Sequence, residues 1–96
     1  MNMPIFLVFY ATVIDDDDAG IFVDSYFMGG IVKTQEGAEL LCKDLTNDRS
    51  IPGTVLTKFY KCKSKNDIKI KFKLARKYFN QLANEMYEAE DIQKRN

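Results

Sequence analysis

The sequence predicts one α+β domain that covers residues 1–96. Its 96 residues are enough for one hydrophobic core and leave no room for a second. The composition, 46% hydrophobic and 29% charged, is typical of a packed globular chain. Apolar residues recur with the period of a strand in some segments and of a helix in others. Together these patterns predict a small mixed or antiparallel sheet of β-hairpins with two helices on one face, in the order ββαββα.

A β-hairpin is predicted at the N-terminus. Residues 5–14 (IFLVFYATVI) and 21–28 (IFVDSYFM) are rich in β-branched and aromatic side chains, which favour strands. The residues between them, 15–20 (DDDDAG), are of the types that form turns. After two glycines, residues 31–33 are expected to form a short additional extended segment.

The first helix is predicted to begin after Thr34, whose side chain can cap it. Four apolar residues then follow at three- and four-residue spacing, which places them on one side of a helix. They are Ala38, Leu41, Cys42 and Leu45. Residues 46–48 (TND) end this helix, and Pro52 with Gly53 marks a turn before the next strand.

The segment 68–74 (IKIKFKL) permits two interpretations. Its alternation of apolar and lysine residues is typical of a strand with one exposed face. Its apolar residues also continue the spacing of one long helix, with a capping box at residues 64–67. We favour a hairpin over residues 54–74 followed by a helix over residues 75–93, because a longer helix would place Ile70 on its polar side.

Several kinds of chemistry have no residues to support them. The chain has no histidine, which excludes His-based acid–base catalysis, Ser–His pairs and imidazole metal ligands. Its two cysteines, Cys42 and Cys62, are too few for a disulfide scaffold or a four-ligand zinc site. The common phosphate-binding, zinc-protease and nucleophile-elbow motifs do not occur. We predict a non-enzymatic protein without cofactor or metal, and rank a small enzyme based on Asp and Lys last.

The expected location is cytoplasmic, with no membrane partner. No apolar run reaches the ~18–20 residues that cross a bilayer. The hydrophobic run at residues 5–14 has no Lys or Arg before it and no small-residue cleavage pattern after it, so a secretory signal is not expected.

Four consecutive aspartates at residues 15–18 suggest comparison with a calcium-binding loop. An EF-hand loop needs acidic residues at its fifth and twelfth positions when glycine occupies the sixth. Aligned on Gly20, those positions hold Ala19 and Tyr26, which supply no carboxylate. We interpret the run as a solvated hairpin turn, since Asp favours turns through local hydrogen bonds.

Charge is unevenly distributed along a chain of zero net charge. Residues 1–57 carry nine acids and three bases, residues 58–77 carry one acid and nine bases, and residues 78–96 carry four acids and two bases. The basic segment predicts a hairpin that binds an anionic partner, with the lysines at positions 69, 71 and 73 in a row on one exposed face. The proposed partner-binding residues are Lys58, Lys61, Lys69, Lys71, Lys73, Arg76 and Lys77.

The N-terminal hairpin is an alternative surface for a partner. Aromatic residues there occupy positions of both parities, so one set of rings is expected outside the core. Exposed tyrosines are frequent interface anchors. The residues proposed for this alternative surface are Tyr10, Asp16, Asp17, Asp18 and Tyr26.

Residues 10–41 resemble the N-terminal part of HicB-type antitoxins. The resemblance is carried by the turn Asp18-Ala19-Gly20, the exit Phe27-Met28-Gly29-Gly30 and the pair Thr34-Gln35. It covers about a third of the chain, and it lacks the proline-containing exit, the Glu-Ala pair in the helix and the DNA-binding domain usual in that family. It implies a domain that binds and blocks a small toxin, which we keep as an alternative.

The leading hypothesis is a non-enzymatic protein that modulates or inhibits a macromolecular partner, most simply a protein, through charged surfaces. Accessory proteins of phages and mobile elements, including anti-CRISPR and other anti-defence proteins, share this size and composition. The second hypothesis is direct binding of nucleic acid by a basic hairpin over residues 58–77, with lysines on phosphates and aromatic rings against bases. The sequence does not specify the partner or the oligomeric state.

Overall fold

The computed structural model describes the backbone of residues 4–95 and the side chains of residues 4–89. The elements follow the order β1 (Ile5–Asp16), β2 (Gly20–Val32), α1 (Gln35–Thr46), β3 (Thr54–Cys62) and α2 (Lys65–Arg95). The predicted α+β class is therefore confirmed. The predicted order ββαββα is wrong, because the order is ββαβα and the described residues form three strands.

The three strands form one antiparallel sheet in the order β2-β1-β3. The N-terminal hairpin is confirmed, and β2 continues through the two glycines to include most of the segment predicted to be separate. Gly20 ends the turn with a φ of 86°, a left-handed conformation that glycine adopts without a Cβ clash. The pairing of β1 with β2 skips Asp24 and Gly29, so β2 bulges at these two positions.

The helices lie on opposite faces of the sheet, which corrects the prediction that they share one face. Alternate residues of a strand point to opposite faces. On one face of β1, Leu7 and Phe9 form a core cluster with Phe79 of α2. On the other face, Leu45 of α1 lies next to Tyr10 at Gly29. Strand β1 is buried from both sides, which explains its almost uninterrupted run of apolar residues.

Helix α1 begins where the sequence predicts. The Thr34 Oγ1 accepts a hydrogen bond of 3.0 Å from the backbone N–H of Gly37, which satisfies one of the unpaired donors of the first turn. Ala38 is buried against the sheet, and Leu41, Cys42 and Leu45 are half-buried beside it.

Residues 68–74 belong to α2, so the predicted hairpin over residues 54–74 is wrong and the alternative interpretation is correct. Ser64 caps the helix as predicted, since the Asp67 N–H donates to Ser64 Oγ at 3.3 Å. The return bond of the predicted capping box is displaced by one residue, because Asp67 Oδ2 accepts from the N–H of Lys63 at 2.9 Å and not from that of Ser64. The helix covers the face of the sheet opposite α1, and it leaves Ile70 53% exposed. In the helical conformation Ile68 and Phe72 pack against the core cluster, while Ile70 remains on the outer side of the helix.

Candidate binding surface

The helical conformation of residues 68–74 separates the lysines that the sequence placed in one row. Successive residues of a helix are rotated by about 100°, so positions two apart point in nearly opposite directions. Lys71 therefore lies on a different side of α2 from Lys69 and Lys73. The predicted row at positions 69, 71 and 73 does not exist.

A different row forms along the side of α2 that lies over β2. Its members recur at three- and four-residue intervals and fall within an arc of about 100° on the helix. We call it the basic flank, and it consists of Lys69, Lys73, Arg76, Lys77, Asn80 and Asn84. All six side chains are exposed. Four of the seven predicted basic residues are thus brought together.

Tyr26 of β2 holds the basic flank against the sheet. Its ring lies 5.0 Å from the Arg76 guanidinium, within the range of a cation–π contact. Its hydroxyl donates a short hydrogen bond to Asn80 Oδ1. Tyr26 was predicted for the alternative surface on the N-terminal hairpin, so the structure joins one residue of that surface to the basic flank.

Two adjacent open depressions follow the flank. One, of about 570 Å³, is lined by polar side chains only. These are Lys73, Arg76, Lys77, Asn80, Gln81 and Asn84. The other, of about 360 Å³, adds the apolar surfaces of Ile68 and Phe72 to three cations of the flank. Lys73 and Arg76 line both, so the two depressions form one continuous strip of cationic and amide groups.

The stretch of α2 that carries the flank contains no carboxylate. Residues 68–84 contain five Lys or Arg and no Asp or Glu, and the neighbouring acids are Asp67 and Glu85. Ion pairs between residues three or four apart on a helix are consequently not available to Lys73 or Lys77. The positive potential of the flank remains directed at solvent.

Two other predicted basic residues belong to a separate cluster with tyrosines. The Lys58 Nζ lies 4.9 Å from the centre of the Tyr78 ring and 5.7 Å from that of Tyr60, and the Lys71 Nζ lies 5.8 Å from Tyr60. These contacts connect β3 to α2 and give both lysines a structural role. Burial raises the pKa of the Tyr60 hydroxyl.

The remaining predicted residues lie away from the basic flank. Lys61 pairs with Phe6 and points to the α1 face of the sheet, opposite the flank. Tyr10 also faces α1, where its ring stacks on Phe27 at 4.8 Å between ring centres.

The acidic turn forms local hydrogen bonds as predicted. The Asp16 Oδ1 accepts from the backbone N–H groups of Asp18 at 2.8 Å and Ala19 at 3.0 Å. The bond from Ala19, followed by that from Asp18, lowers the pKa of Asp16. Asp17 and Asp18 are exposed. Within the described residues, no three Asp, Glu, Cys or His side chains are arranged to hold a metal ion.

Both cysteines are free thiols, and both have limited reactivity. Burial raises the pKa of Cys62 and of Cys42, so each thiol is protonated at neutral pH. The thiolate is the nucleophilic form, and its population is small here.

Asn80, Gln81 and Asn84 are the residues of this surface that sequence reasoning missed. The interpretation of residues 68–89 as one long helix could have identified them, because they follow Lys69, Lys73 and Lys77 at three- and four-residue spacing.

Neither helix in the described part of the chain combines the length and apolar character that crossing a bilayer requires. No family model, curated protein or solved structure matches this chain.

Proposed function

We propose that this protein is a non-enzymatic binding protein that modulates or inhibits a macromolecular partner, and that the basic flank docks on an acidic surface of a protein. The observation that supports this is the alignment of four exposed cations and two amides along one side of α2, in a stretch of helix without a carboxylate. Such a row attracts an anionic surface over its whole length.

The composition of the flank suits a protein partner. Three of its four cations are lysines, which act as hydrated point charges, whereas base-specific readers typically use several bidentate arginines. The interleaved amides can donate and accept hydrogen bonds, as a mixed polar interface requires. Opposite charge across an interface mainly accelerates association and sets orientation.

The test begins with a flank variant in which Lys69, Lys73 and Lys77 are all replaced by Glu. All three are exposed, so the variant should remain folded, because exposed charges contribute little to stability. The matched control replaces three exposed lysines outside the flank by Glu and has the same net charge. These lysines are Lys33, Lys43 and Lys61.

A pull-down from lysate with mass spectrometry identifies the partner of the wild-type protein, and surface plasmon resonance then compares the three proteins with it. The flank variant should associate at least about tenfold more slowly at low salt, and the difference should shrink as salt rises. The control should associate nearly as fast as the wild type. If the association rate fell equally in both variants, net charge alone would determine it, and the proposed docking surface would be wrong.

Direct binding of nucleic acid is the second candidate function, favoured by the same uncompensated row of cations. It predicts binding of generic DNA or RNA by the isolated protein with a steep dependence on salt concentration. The flank variant should then lose binding to every sequence equally, since phosphate contacts carry no sequence information. Antitoxin-like toxin binding and a role in countering host defence remain predictions from the sequence.

A further inference from the structure

Strand β2 has an outer edge that the described part of the chain leaves unpaired. The sheet order β2-β1-β3 places β2 at one edge, and its 13 residues include one charged side chain, that of Asp24. Four large apolar side chains of β2 are exposed. They are Phe22, Phe27, Met28 and Ile31, of which Ile31 is 57% exposed. An open edge with this composition is a template for another strand.

The opposite edge of the sheet shows how such pairing is usually prevented. Strand β3 is shorter, with nine residues, and it carries Lys58 and Lys61. Lysines on an edge strand discourage a second strand from adding there. Strand β2 has no lysine and is regular between its two bulges, over residues 25–28. The edge without lysines is also the edge beside the basic flank, and its bulges at Asp24 and Gly29 confine regular pairing with an added strand to residues 25–28.

The flank lies along this edge. Helix α2 runs antiparallel to β2, because Arg76 contacts Tyr26 near the middle of β2 and the Tyr87 ring lies against Gly20 at its start. Met28 and Ile31 pair with Phe9 and Leu7, so they point to the α2 face of the sheet. An added strand would consequently lie with one row of side chains facing the flank.

The spacing of charges on the flank matches that of a strand. Cations four residues apart on a helix are separated by about 6 Å along its axis. Side chains on one face of a strand are separated by about 6.7 Å, which is two residues. Alternate residues of an added strand can therefore each meet one cation in the series Lys69, Lys73, Lys77. On the α1 face of the sheet, the remaining residues of the added strand would lie beside the exposed rings of Phe22 and Phe27.

We infer that β2 accepts an extended segment of an acidic protein as a fourth strand, with carboxylates at the positions that face α2 and apolar residues at those that face α1. This inference rests on the proposed function, since it specifies how an acidic partner engages the basic flank. Main-chain hydrogen bonds to β2 supply affinity, and the two rows of side chains supply selectivity.

A second copy of this chain is a less suitable occupant of the edge. If β2 paired antiparallel with β2 of a second copy, a two-fold axis perpendicular to the sheet would relate the two chains. Both α2 helices would then lie on the same face of the joined sheet. The two basic flanks would then lie on either side of the joint and repel each other. An acidic segment has the opposite effect, because it neutralises the flank.

The experiment uses fluorescein-labelled peptides of about seven residues, long enough to cover the regular part of β2. The first peptide alternates Glu and Val. The second has the same composition with its Val and Glu residues in two blocks, and the third has Lys in place of Glu. Fluorescence anisotropy with the full chain should show binding of the first, at least about tenfold weaker binding of the second, and none of the third.

Backbone methylation distinguishes strand addition from simple charge attraction. Two further versions of the alternating peptide carry N-methyl groups, one on the Glu residues and the other on the Val residues. Only one edge of an added strand bonds to β2, so one version should bind and the other should not. If both bind like the parent peptide, or if neither binds, strand addition is wrong.

The flank variant and its control separate the failure of this inference from the failure of the proposed function. If both methylated peptides bind the wild-type protein and neither binds the flank variant, the flank is a docking surface for acidic segments but β2 adds no strand. If no Glu peptide binds and the flank variant associates normally with the captured partner, both proposals fail. Binding of oligothymidine without binding of any peptide, or a dimer of the protein alone by sedimentation, would also overturn the inference.

Discussion

Replacing Phe79 by Ala should destabilise the protein severely. Phe79 is 1% exposed and lies in the core cluster with Leu7 and Phe9 of the central strand. Its ring also packs near those of Tyr26 and Tyr78, with centres 6.5 and 5.6 Å away. Removing a buried phenylalanine ring costs about 3–5 kcal/mol, because apolar burial is lost and a cavity remains.

That loss is large for a domain of this size. Domains usually have about 5–15 kcal/mol of unfolding free energy, so between a fifth and all of it would be lost. The melting temperature should fall by at least roughly 12 °C, since 1 kcal/mol corresponds to about 4–8 °C in a small domain. Urea unfolding followed by circular dichroism measures the free energy, and thermal scans provide the independent check.

The matched control is Ile70→Ala on the same helix. Ile70 is 53% exposed, and alanine is the better helix former, so stability should change by less than about 0.5 kcal/mol. If residues 68–74 were a strand, Ile70 would share the buried face with Phe72, and its truncation would cost about 2–5 kcal/mol. A large loss for Ile70→Ala together with a small one for Phe79→Ala would refute the helical packing described above.

Three further predictions concern the turns and the thiols. Gly53→Ala should destabilise more than Gly20→Ala, as measured by urea unfolding. Both glycines have positive φ, but the new Cβ at Gly53 would lie 2.7 Å from the backbone oxygen of Val13, whereas the one at Gly20 would lie 2.6 Å from the ring of Tyr87, a 50% exposed side chain that can move aside. Equal losses would show that the contact with the Val13 backbone adds no cost. Asp16→Ala should lower the stability of the protein at neutral pH. The difference from the wild type should vanish as the pH falls through the lowered pKa of Asp16, because the hydrogen bonds that lower this pKa stabilise the fold only while the carboxylate is ionised. A stability difference that persists in acid would contradict the role of these hydrogen bonds. Iodoacetamide at neutral pH should label Cys62 only after unfolding, because the thiol is buried and burial raises its pKa. Peptide mapping distinguishes Cys62 from the half-buried Cys42, and rapid labelling of Cys62 in the folded protein would contradict its burial.

Local features of the chain were predictable from sequence. The N-terminal hairpin follows from two β-branched and aromatic runs around a turn of aspartates and glycine, all of which act within a few residues. The start of α1 follows from Thr34, whose cap satisfies a backbone donor three residues away. The concentration of charge in residues 58–77 is likewise a property of the sequence alone.

The face on which each helix packs was decided by the tertiary structure, although the sequence held a clue. Residues 5–13 are almost all apolar at both parities, which is typical of a strand covered on both sides. A prediction that followed this pattern would have placed the helices on opposite faces. The alternation of Leu7 and Phe9 with Val8 and Tyr10 divides β1 into two packing surfaces.

Residues 68–74 show most clearly what the sequence by itself determined and what it did not. Their alternation of Ile and Lys satisfies the period of a strand, and the wider stripe through Phe79 satisfies that of a helix, so local periodicity supports both. Only the tertiary structure distinguishes them, because the α2 face of the sheet must be covered and a long helix does so. That same choice separates Lys71 from Lys69 and Lys73, and it creates the basic flank. The candidate site therefore depends on the packing of α2 against the sheet, an interaction between residues distant in sequence.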